Sequence, residues 1–334
     1  MRRWFLSLLI SIASIASIAS IASTASAGTW QAYPSDLPQF DYSGDLLEAH
    51  WQELTLISRV DFPSVEHLLD QMKVYPDLAL RTLQDAQAPN AHPALHAILE
   101  GSFEPLSLAI QEVWRLHYEG HFEEAYELGM QLGPFGKVPA IYALSMYAAL
   151  VVEDKDKKLE LFAASASQSE ALLPLSPDYA FGQFGLVYSH ARTLELLDTS
   201  AARSSGYITS SLEILKDLHE RYPNRAIYLG TTGAIQAGIV ERVGSFLGRM
   251  TYGATESRAI DAFEQALELE SSVPVIYNEY TKALARLNNS DFHDHSIELL
   301  TTCIGLTPRS AEEALNLRAC QRQLDAIQRP KGKP

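Results

Sequence analysis

The sequence has little of what defines disulfide-rich or β-sheet proteins. Its 334 residues include only two cysteines, Cys303 and Cys320, which are too few for the fold to depend on disulfides. Alternating apolar and polar runs are scarce, and no Asn-Gly or Asp-Gly hairpin turn occurs. These absences exclude a disulfide-stapled scaffold and argue against a sheet.

Common catalytic motifs are also absent. The sequence has no Gly-x-Ser-x-Gly nucleophile elbow and no His-Glu-x-x-His zinc motif. A glycine-rich stretch spans residues 230–253, but the Lys-Ser/Thr pair of a phosphate loop does not follow it, and close helix packing is the favoured explanation for these glycines. We therefore predict a non-catalytic protein without a cofactor.

Two histidine pairs have a spacing that suits a metal ion on a helix. His117 precedes His121 by four residues, and His92 precedes His96 by four. A glycine interrupts the first helix between its two histidines, and a proline interrupts the second. We interpret these histidines as surface residues and predict no metal site.

The charge balance is strongly acidic, with a formal net charge of −15. Such a chain is poorly suited to nucleic acid or to anionic membrane surfaces, because both carry negative charge. Nearly half of the residues are hydrophobic (47%), which is typical of a globular chain with a large core. We predict no nucleic-acid partner.

The first residues resemble an export signal. Arg2 and Arg3 precede an apolar run over residues 4–22, and Ala25-Ser26-Ala27 forms a small-x-small cleavage site before Gly28. We predict a signal peptide over residues 1–27 and a periplasmic or secreted mature protein with no transmembrane segment left. The alternative is an uncleaved membrane anchor, since the run is long enough to span a bilayer.

The rest of the chain divides into an irregular lead-in (28–44), an N-terminal helical region (45–100) and a repeat domain (101–328). Helical stripes recur, separated by proline, glycine or polar breaks. The predicted helices cover residues 46–57, 63–74, 76–88, 93–100, 105–119, 122–132, 138–152, 157–172, 178–197, 204–221, 226–250, 257–270, 274–287, 292–306 and 310–328.

A repeated pattern of small and apolar residues runs through these helices. The offsets of Ser211-x3-Leu215-x2-Leu218-x4-Pro223 recur in Ser296-x3-Leu300-x2-Cys303-x4-Pro308. Such self-similarity is typical of helix–turn–helix repeats, in which small residues let a neighbouring helix approach. We predict an all-α fold of tetratricopeptide-like helical repeats stacked in a superhelix. The alternative is an ordinary antiparallel helix bundle.

The last hundred residues resemble two tetratricopeptide-like families. The carrying motifs are Gly244-x3-Gly248-Arg-Met-Thr-Tyr-Gly-Ala-Thr, Ala259-x3-Phe263-x2-Ala266-Leu-Glu-Leu and Tyr277-Asn-Glu-Tyr280. The chain is similar here to the regulator of microtubule dynamics proteins and to the periplasmic TatT components associated with TRAP transporters. The TatT resemblance implies a periplasmic helical scaffold that partners a substrate-binding protein. The lipid-attachment cysteine of a bacterial lipoprotein is missing after the apolar run.

One predicted helix of the last repeats carries a polar, cationic stripe. Asn278, Lys282 and Arg286 recur every four positions and so share one helical face. The first helix of each repeat lines the concave groove, so the stripe faces that groove and suits a carboxylate or an acidic peptide tail. Tyr252 and Tyr277 would supply aromatic walls. The alternative is a solvated outer face.

The pairing of Cys303 with Cys320 stays open on the sequence alone. The predicted helices that carry them are joined by a short connection, so the helices should pack antiparallel. The two positions are offset by about 5–8 Å along the helix axis, whereas a bridge requires Cα atoms within about 7 Å. Both a bridge and two free packing residues fit the sequence.

These observations predict an exported helical-repeat scaffold that binds a protein partner, such as a periplasmic substrate-binding protein. A small-ligand-sequestering protein with an apolar cavity is the alternative, followed by an enzyme built on an α-helical toroid. The character of the groove separates these functions. A scaffold requires a polar, open groove, a sequestering protein requires an apolar, closed one, and a toroidal enzyme requires paired carboxylates.

Overall fold

The structure is a computed structural model that describes residues 30–288 and 290–329. The predicted signal peptide (1–27) lies outside the described residues. Within them the chain forms α-helices and short 3-10 helices and no strand, which confirms the all-α prediction. None of the helices in the described ranges is long and apolar enough to span a bilayer.

The first eight helices cover the N-terminal half of the described chain. They are α1 (Leu46–Ala49), α2 (Trp51–Leu54), α3 (Val65–Val74), α4 (Pro76–Ala86), α5 (Pro93–His96), α6 (Glu104–Glu119), α7 (Phe122–Gln131) and α8 (Gly133–Leu150). The next nine are α9 (Lys155–Leu172), α10 (Ala180–Leu196), α11 (Thr199–Ser204), α12 (Tyr207–Arg221), α13 (Ala226–Tyr252), α14 (Glu256–Leu269), α15 (Pro274–Leu287), α16 (His293–Ile304) and α17 (Ala311–Gln328). Short 3-10 helices cover Ala97–Glu100, Leu173–Leu175 and Ser290–Phe292.

Local sequence signals set the ends of many helices. The side chain of Ser64 accepts a hydrogen bond from the backbone of α3, and Asp154 does the same for α9. Pro76 begins α4 directly after α3 has ended, and Gly120 ends α6 in the left-handed conformation. The breaks read from proline and glycine in the sequence therefore correspond to real helix boundaries.

From α6 onward the helices alternate between an inner and an outer layer. The inner layer consists of α6, α8, α10, α13, α15 and α17, and each of these helices contacts the next inner one. The outer helices α7, α9, α12, α14 and α16 each contact the two inner helices between which they lie in sequence. This pattern confirms the prediction of stacked helical pairs.

The inner layer does not end as an open stack. The last inner helix, α17, contacts both α6 and α8, which are the first two inner helices. The six inner helices therefore form a closed ring, and we call the contact of α17 with α6 and α8 the seam. The sequence predicts a superhelix, and the structure shows that its curvature brings the two ends together.

The single helix predicted over residues 46–57 is divided into α1 and α2, and two further features differ from the sequence prediction or complete it. The single helix predicted over residues 226–250 is broken at Gly244, which adopts φ 77° and ψ 160°, a conformation that is comfortable only for glycine. Cys303 and Cys320 form a disulfide with a Cα–Cα distance of 6.4 Å. The bridge fastens the last inner helix, α17, to its outer partner, α16.

Candidate functional site

A cavity of about 80 Å³ lies where the inner helices converge. Helices α8, α10, α13, α15 and α17 all contribute to its walls. One water needs about 10–15 Å³ of such space, so the cavity has room for a small aliphatic or aromatic group. Most of the lining is apolar, and its aliphatic, sulfur and phenyl members are Ile57, Val138, Ile141, Met146, Ala149, Leu150, Leu172, Phe181, Phe184, Ile227 and Val275.

The connection between α2 and α3 forms part of the cavity wall. Ile57 and Ser58 of this connection line the cavity. The connection is held in place by Arg225, whose guanidinium donates to the Ser58 carbonyl at 3.4 Å, and by an ion pair between Arg59 and Glu270 at 3.6 Å. These contacts reach the start of α13 and the end of α14, so they anchor the connection to both helices.

A larger space of about 430 Å³, which we call the vestibule, lies beside the cavity. The lead-in, the end of α8, α9, α15 and α17 line it. Ala149, Leu150 and Lys282 line both the cavity and the vestibule, so the two spaces meet at these residues. We call this meeting point the neck.

The vestibule is cationic although the protein is acidic. Lys158, Lys282, Arg318 and Arg322 line it, whereas Glu153 is its single lining carboxylate among the described residues. Three of the cations have an ion-pair partner: Lys282 with Glu279 at 2.9 Å, Arg318 with Asp36 at 2.6 Å, and Arg322 with Glu153 at 3.8 Å. The fourth cation, Lys158, has no ion-pair partner among the described residues.

Lys158 has no carboxylate within 4.0 Å among the described residues. Burial lowers the pKa of its ammonium group, and repulsion from Lys282 and Arg192 lowers it further, while Glu195 and Glu153 act in the opposite direction. Burial and the two neighbouring cations therefore disfavour the charged form of Lys158. A bound anion would relieve that cost.

An ion-pair network forms the wall below the vestibule. Arg192 pairs with Glu279 at 2.8 Å and with Glu195 at 2.9 Å, and Arg286 extends the network to Glu195 at 3.1 Å. Burial alone would raise the pKa of Glu279, but Arg192 and Lys282 outweigh burial and hold that pKa well below the usual glutamate value. Glu279 is therefore ionised and committed to its cationic neighbours.

The carboxylate of Glu312 closes the ring at the seam. Its Oε2 accepts a hydrogen bond from the Tyr142 hydroxyl at 2.6 Å and lies 3.3 Å from Nε2 of His117. These three residues come from α17, α8 and α6, so a single buried side chain links all three helices of the seam. His117 is fully buried, so the prediction of a surface position is wrong for this histidine. Glu312 and Tyr142 also line the cavity, so the seam forms part of its wall.

The three residues of the predicted cationic stripe lie in three different environments. Lys282 lines the neck. Asn278 is fully buried and hydrogen-bonds to Asn316 at 2.9 Å and to Gln323 at 2.8 Å, both in α17. Arg286 belongs to the ion-pair network described above and lines a separate small pocket. Binding of a partner by these stripe residues stays a prediction.

The two predicted aromatic walls lie in apolar cores. Tyr277 is buried, and its hydroxyl donates to the Ser271 carbonyl at 2.9 Å. Tyr252 is half-buried against the core between α12 and α13. Neither residue lines the cavity or the vestibule, and their role in binding also stays a prediction.

Sequence reasoning missed most of the vestibule. Lys158, Arg318 and Arg322 lie on α9 and α17, and Glu312 and Tyr142 meet across 170 residues of chain. No pattern within one helix connects these positions. Within the described ranges no group of three or more His, Cys, Asp or Glu side chains is placed to hold a metal ion.

Comparison with known proteins yields one structural similarity to report. No family model and no curated protein matches the sequence. The crystal structure of a thermophilic TPR protein from Thermus thermophilus is similar, with a TM-score of 0.47 and 17% sequence identity, over 66% of this chain and 99% of that chain. The ring, cavity and vestibule described above are properties of this chain's own helices.

Proposed function

We propose that this protein is a non-catalytic binding protein that holds a small molecule inside its helical ring. The observation that carries this proposal is the apolar cavity inside the ring, whose wall includes Ile57 and Ser58 and which shares its neck residues with the vestibule. Ligand sites are typically concave, mostly apolar and provided with a few polar groups that fix orientation. The ring has this arrangement.

The dimensions and charges of the cavity favour binding of a small molecule over the other two functions. A space of about 80 Å³ is too small for a peptide segment of a partner protein. Two carboxylates, Glu279 and Glu312, line the cavity, but Glu279 is neutralised by cations and Glu312 is bonded to Tyr142 and His117 at the seam. Both side chains have structural partners, which supports a binding role.

Blocking the neck tests the proposal. We expect the mature protein to bind the neutral fluorescent probe 1-naphthylamine saturably, and Ala149→Trp to weaken that binding at least about tenfold because the indole fills the neck. The matched control is Ala163→Trp, which places the same side chain on the exposed face of α9. Equal binding by both variants, or no saturable binding by the parent protein, would refute the proposal.

A partner protein is a second candidate, carried by a different observation. After the break at Gly244, α13 exposes Phe246 (76% accessible), Leu247 (54%) and Met250 (73%). Exposed apolar groups that lie together mark protein-interaction surfaces. We propose that an exported scaffold docks a partner here, and the TatT resemblance suggests a periplasmic substrate-binding protein as that partner.

The partner proposal has two separate tests. The double variant Phe246→Ser/Met250→Ser should lose a protein that the parent chain retains from a periplasmic extract, while Leu80→Ser, an exposed apolar change on α4, should retain it. Recovery of the same proteins by all three chains would refute docking at this surface. N-terminal sequencing that finds Gly28 first supports export, and an intact Met1 contradicts it.

A further inference from the structure

We propose that the ligand of the central cavity is amphipathic and anionic, with a carboxylate-type head group held in the vestibule by Lys158 and Lys282 and an apolar tail inside the ring. This inference rests on the proposed small-molecule function and specifies its ligand class. Lys158 is the one vestibule cation that lacks a counter-charge among the described residues.

The distribution of charge selects an anion. Lys282, Arg318 and Arg322 have carboxylate partners, but Lys158 faces Lys282 and Arg192 with no ion-pair partner in the described part of the chain. Lys158 is partly buried, and an unpaired charge in such a position loses part of its hydration without compensation. A ligand carboxylate beside Lys158 and Lys282 would supply the missing counter-charge and would accept charge-assisted hydrogen bonds from both.

The neck sets the orientation of such a ligand. Lys282 lines both spaces, so a head group beside its ammonium lies where the vestibule meets the cavity. Directly below, Ala149 and Leu150 lead into walls that include Ile141 and Phe181. A tail that continues from the head group into the ring therefore exchanges water for apolar surface, which stabilises the complex in proportion to the area buried.

The local charge also differs from that of the whole molecule. The chain carries a formal net charge of −15, and yet its vestibule is lined by four cations and a single carboxylate among the described residues. Long-range attraction is therefore not expected to draw the ligand to the protein surface as a whole. Selection for an anion takes place inside the vestibule, where partial burial lowers the effective dielectric and strengthens the attraction between the cations and an anion.

A matched pair of ligands separates the head group from the tail. Decanoate and decanol have the same chain length, and each can compete with the neutral probe for the cavity. We expect decanoate to displace the probe at about tenfold lower concentration than decanol, since a hydrogen bond to a charged group is worth about that factor. Raising the salt concentration should reduce the preference, because ions screen the partly exposed vestibule charges.

Two lysine variants on the same helix locate the effect. Lys158→Gln should abolish the preference for decanoate and leave binding of decanol unchanged. The control is Lys157→Gln, which removes an adjacent lysine that is paired with Glu160 at 3.0 Å and does not line the vestibule. It should keep the full preference.

The outcomes distinguish this inference from the proposed function. If decanoate and decanol compete equally while Ala149→Trp still blocks the probe, the cavity binds ligands but the anionic class is wrong. If Lys157→Gln and Lys158→Gln reduce the preference equally, a general charge effect replaces the proposed contact. If neither ligand displaces the probe and Ala149→Trp has no effect, the proposed function itself fails.

Discussion

The ring is joined in two different ways at two parts of its circumference. Between α13, α14 and α15 the joint is apolar: Phe263 is fully buried and stacks on Tyr280 with ring centroids 4.8 Å apart. A Cβ atom on Gly233 would lie 2.7 Å from the Phe263 ring, so the absent side chain is what lets α13 approach. At the seam, Glu312 adds a buried polar contact to Tyr142 and His117.

The lead-in adds a second polar layer across the seam. The backbone N–H of Tyr42 donates to Glu119 at 2.8 Å, at the end of α6, and the Tyr42 hydroxyl donates to the Arg309 carbonyl, just before α17. Asp36 of the lead-in pairs with Arg318 of α17 at 2.6 Å. Residues that precede the first helix thus connect both sides of the ring closure.

This difference indicates where the ring is easiest to open. Apolar contacts are non-directional and strengthen with the area buried, so the joint at Phe263 depends on packing volume. Hydrogen bonds have a modest net contribution, because water can replace them when the groups become exposed. The seam should therefore separate at lower cost than the apolar joint, and the following changes test that order.

The largest loss of stability should come from the apolar joint. Phe263→Ala removes a fully buried ring between three helices and should lower the free energy of unfolding by about 3–5 kcal/mol, through lost burial and the cavity left behind. Urea denaturation followed by circular dichroism measures this effect. Phe246→Ala, on an exposed surface, is the control and should change stability by less than about 0.5 kcal/mol.

Loss of the disulfide should rank second. The double variant Cys303→Ala/Cys320→Ala releases a link across 17 residues and should lower the free energy of unfolding by about 3 kcal/mol. Adding a reductant to the parent protein should produce a similar loss and should leave the variant unaffected. A reductant effect of equal size on both proteins would contradict this assignment.

Breaking the polar centre of the seam should have a smaller effect. Glu312→Ala leaves the buried Tyr142 hydroxyl and the His117 imidazole without their shared acceptor, at a cost of about 1–3 kcal/mol. Glu312→Gln keeps an acceptor oxygen and should cost less. Faster amide hydrogen exchange should appear in α6, α8 and α17, and an increase confined to α13–α15 would contradict the assignment of Glu312 to the seam.

The smallest effect should come from the outer layer of the seam. Tyr42→Phe removes only the hydroxyl that donates to the Arg309 carbonyl and should cost about 1 kcal/mol. Tyr33→Phe is matched to it, because the Tyr33 hydroxyl donates to the Pro38 carbonyl within the lead-in itself. A larger loss from Tyr33→Phe would show that the lead-in stabilises itself rather than the seam.

The helices can be predicted from sequence because their signals are local. Ser64 and Pro76 cap or begin helices, Gly120 ends one, and each of these effects involves neighbours a few residues away. The closure of the ring cannot be predicted in this way. The Glu312 carboxylate meets His117 across 195 residues, and no periodicity within either helix encodes that meeting.

The positions of the site residues also could not be predicted from the sequence. The sequence predicts that Asn278 faces a groove because it shares a helical face with Lys282 and Arg286, but Asn316 and Gln323 of α17 satisfy its amide in the interior. Lys158 gives no signal in the sequence, because a lysine on a helix is normally solvated. Its unusual position depends on Lys282 and Arg192, which belong to two of the inner helices.

The closed ring also bears on how the molecule unfolds. In a linear array of repeats each terminal unit has a single neighbour, so the array frays from its ends and unfolds in steps. Here α6 and α17, the first and last inner helices, support each other. No helical pair of the ring is terminal, and the loss of any one pair deprives two neighbours of support. We therefore expect the six inner helices to unfold as one cooperative unit.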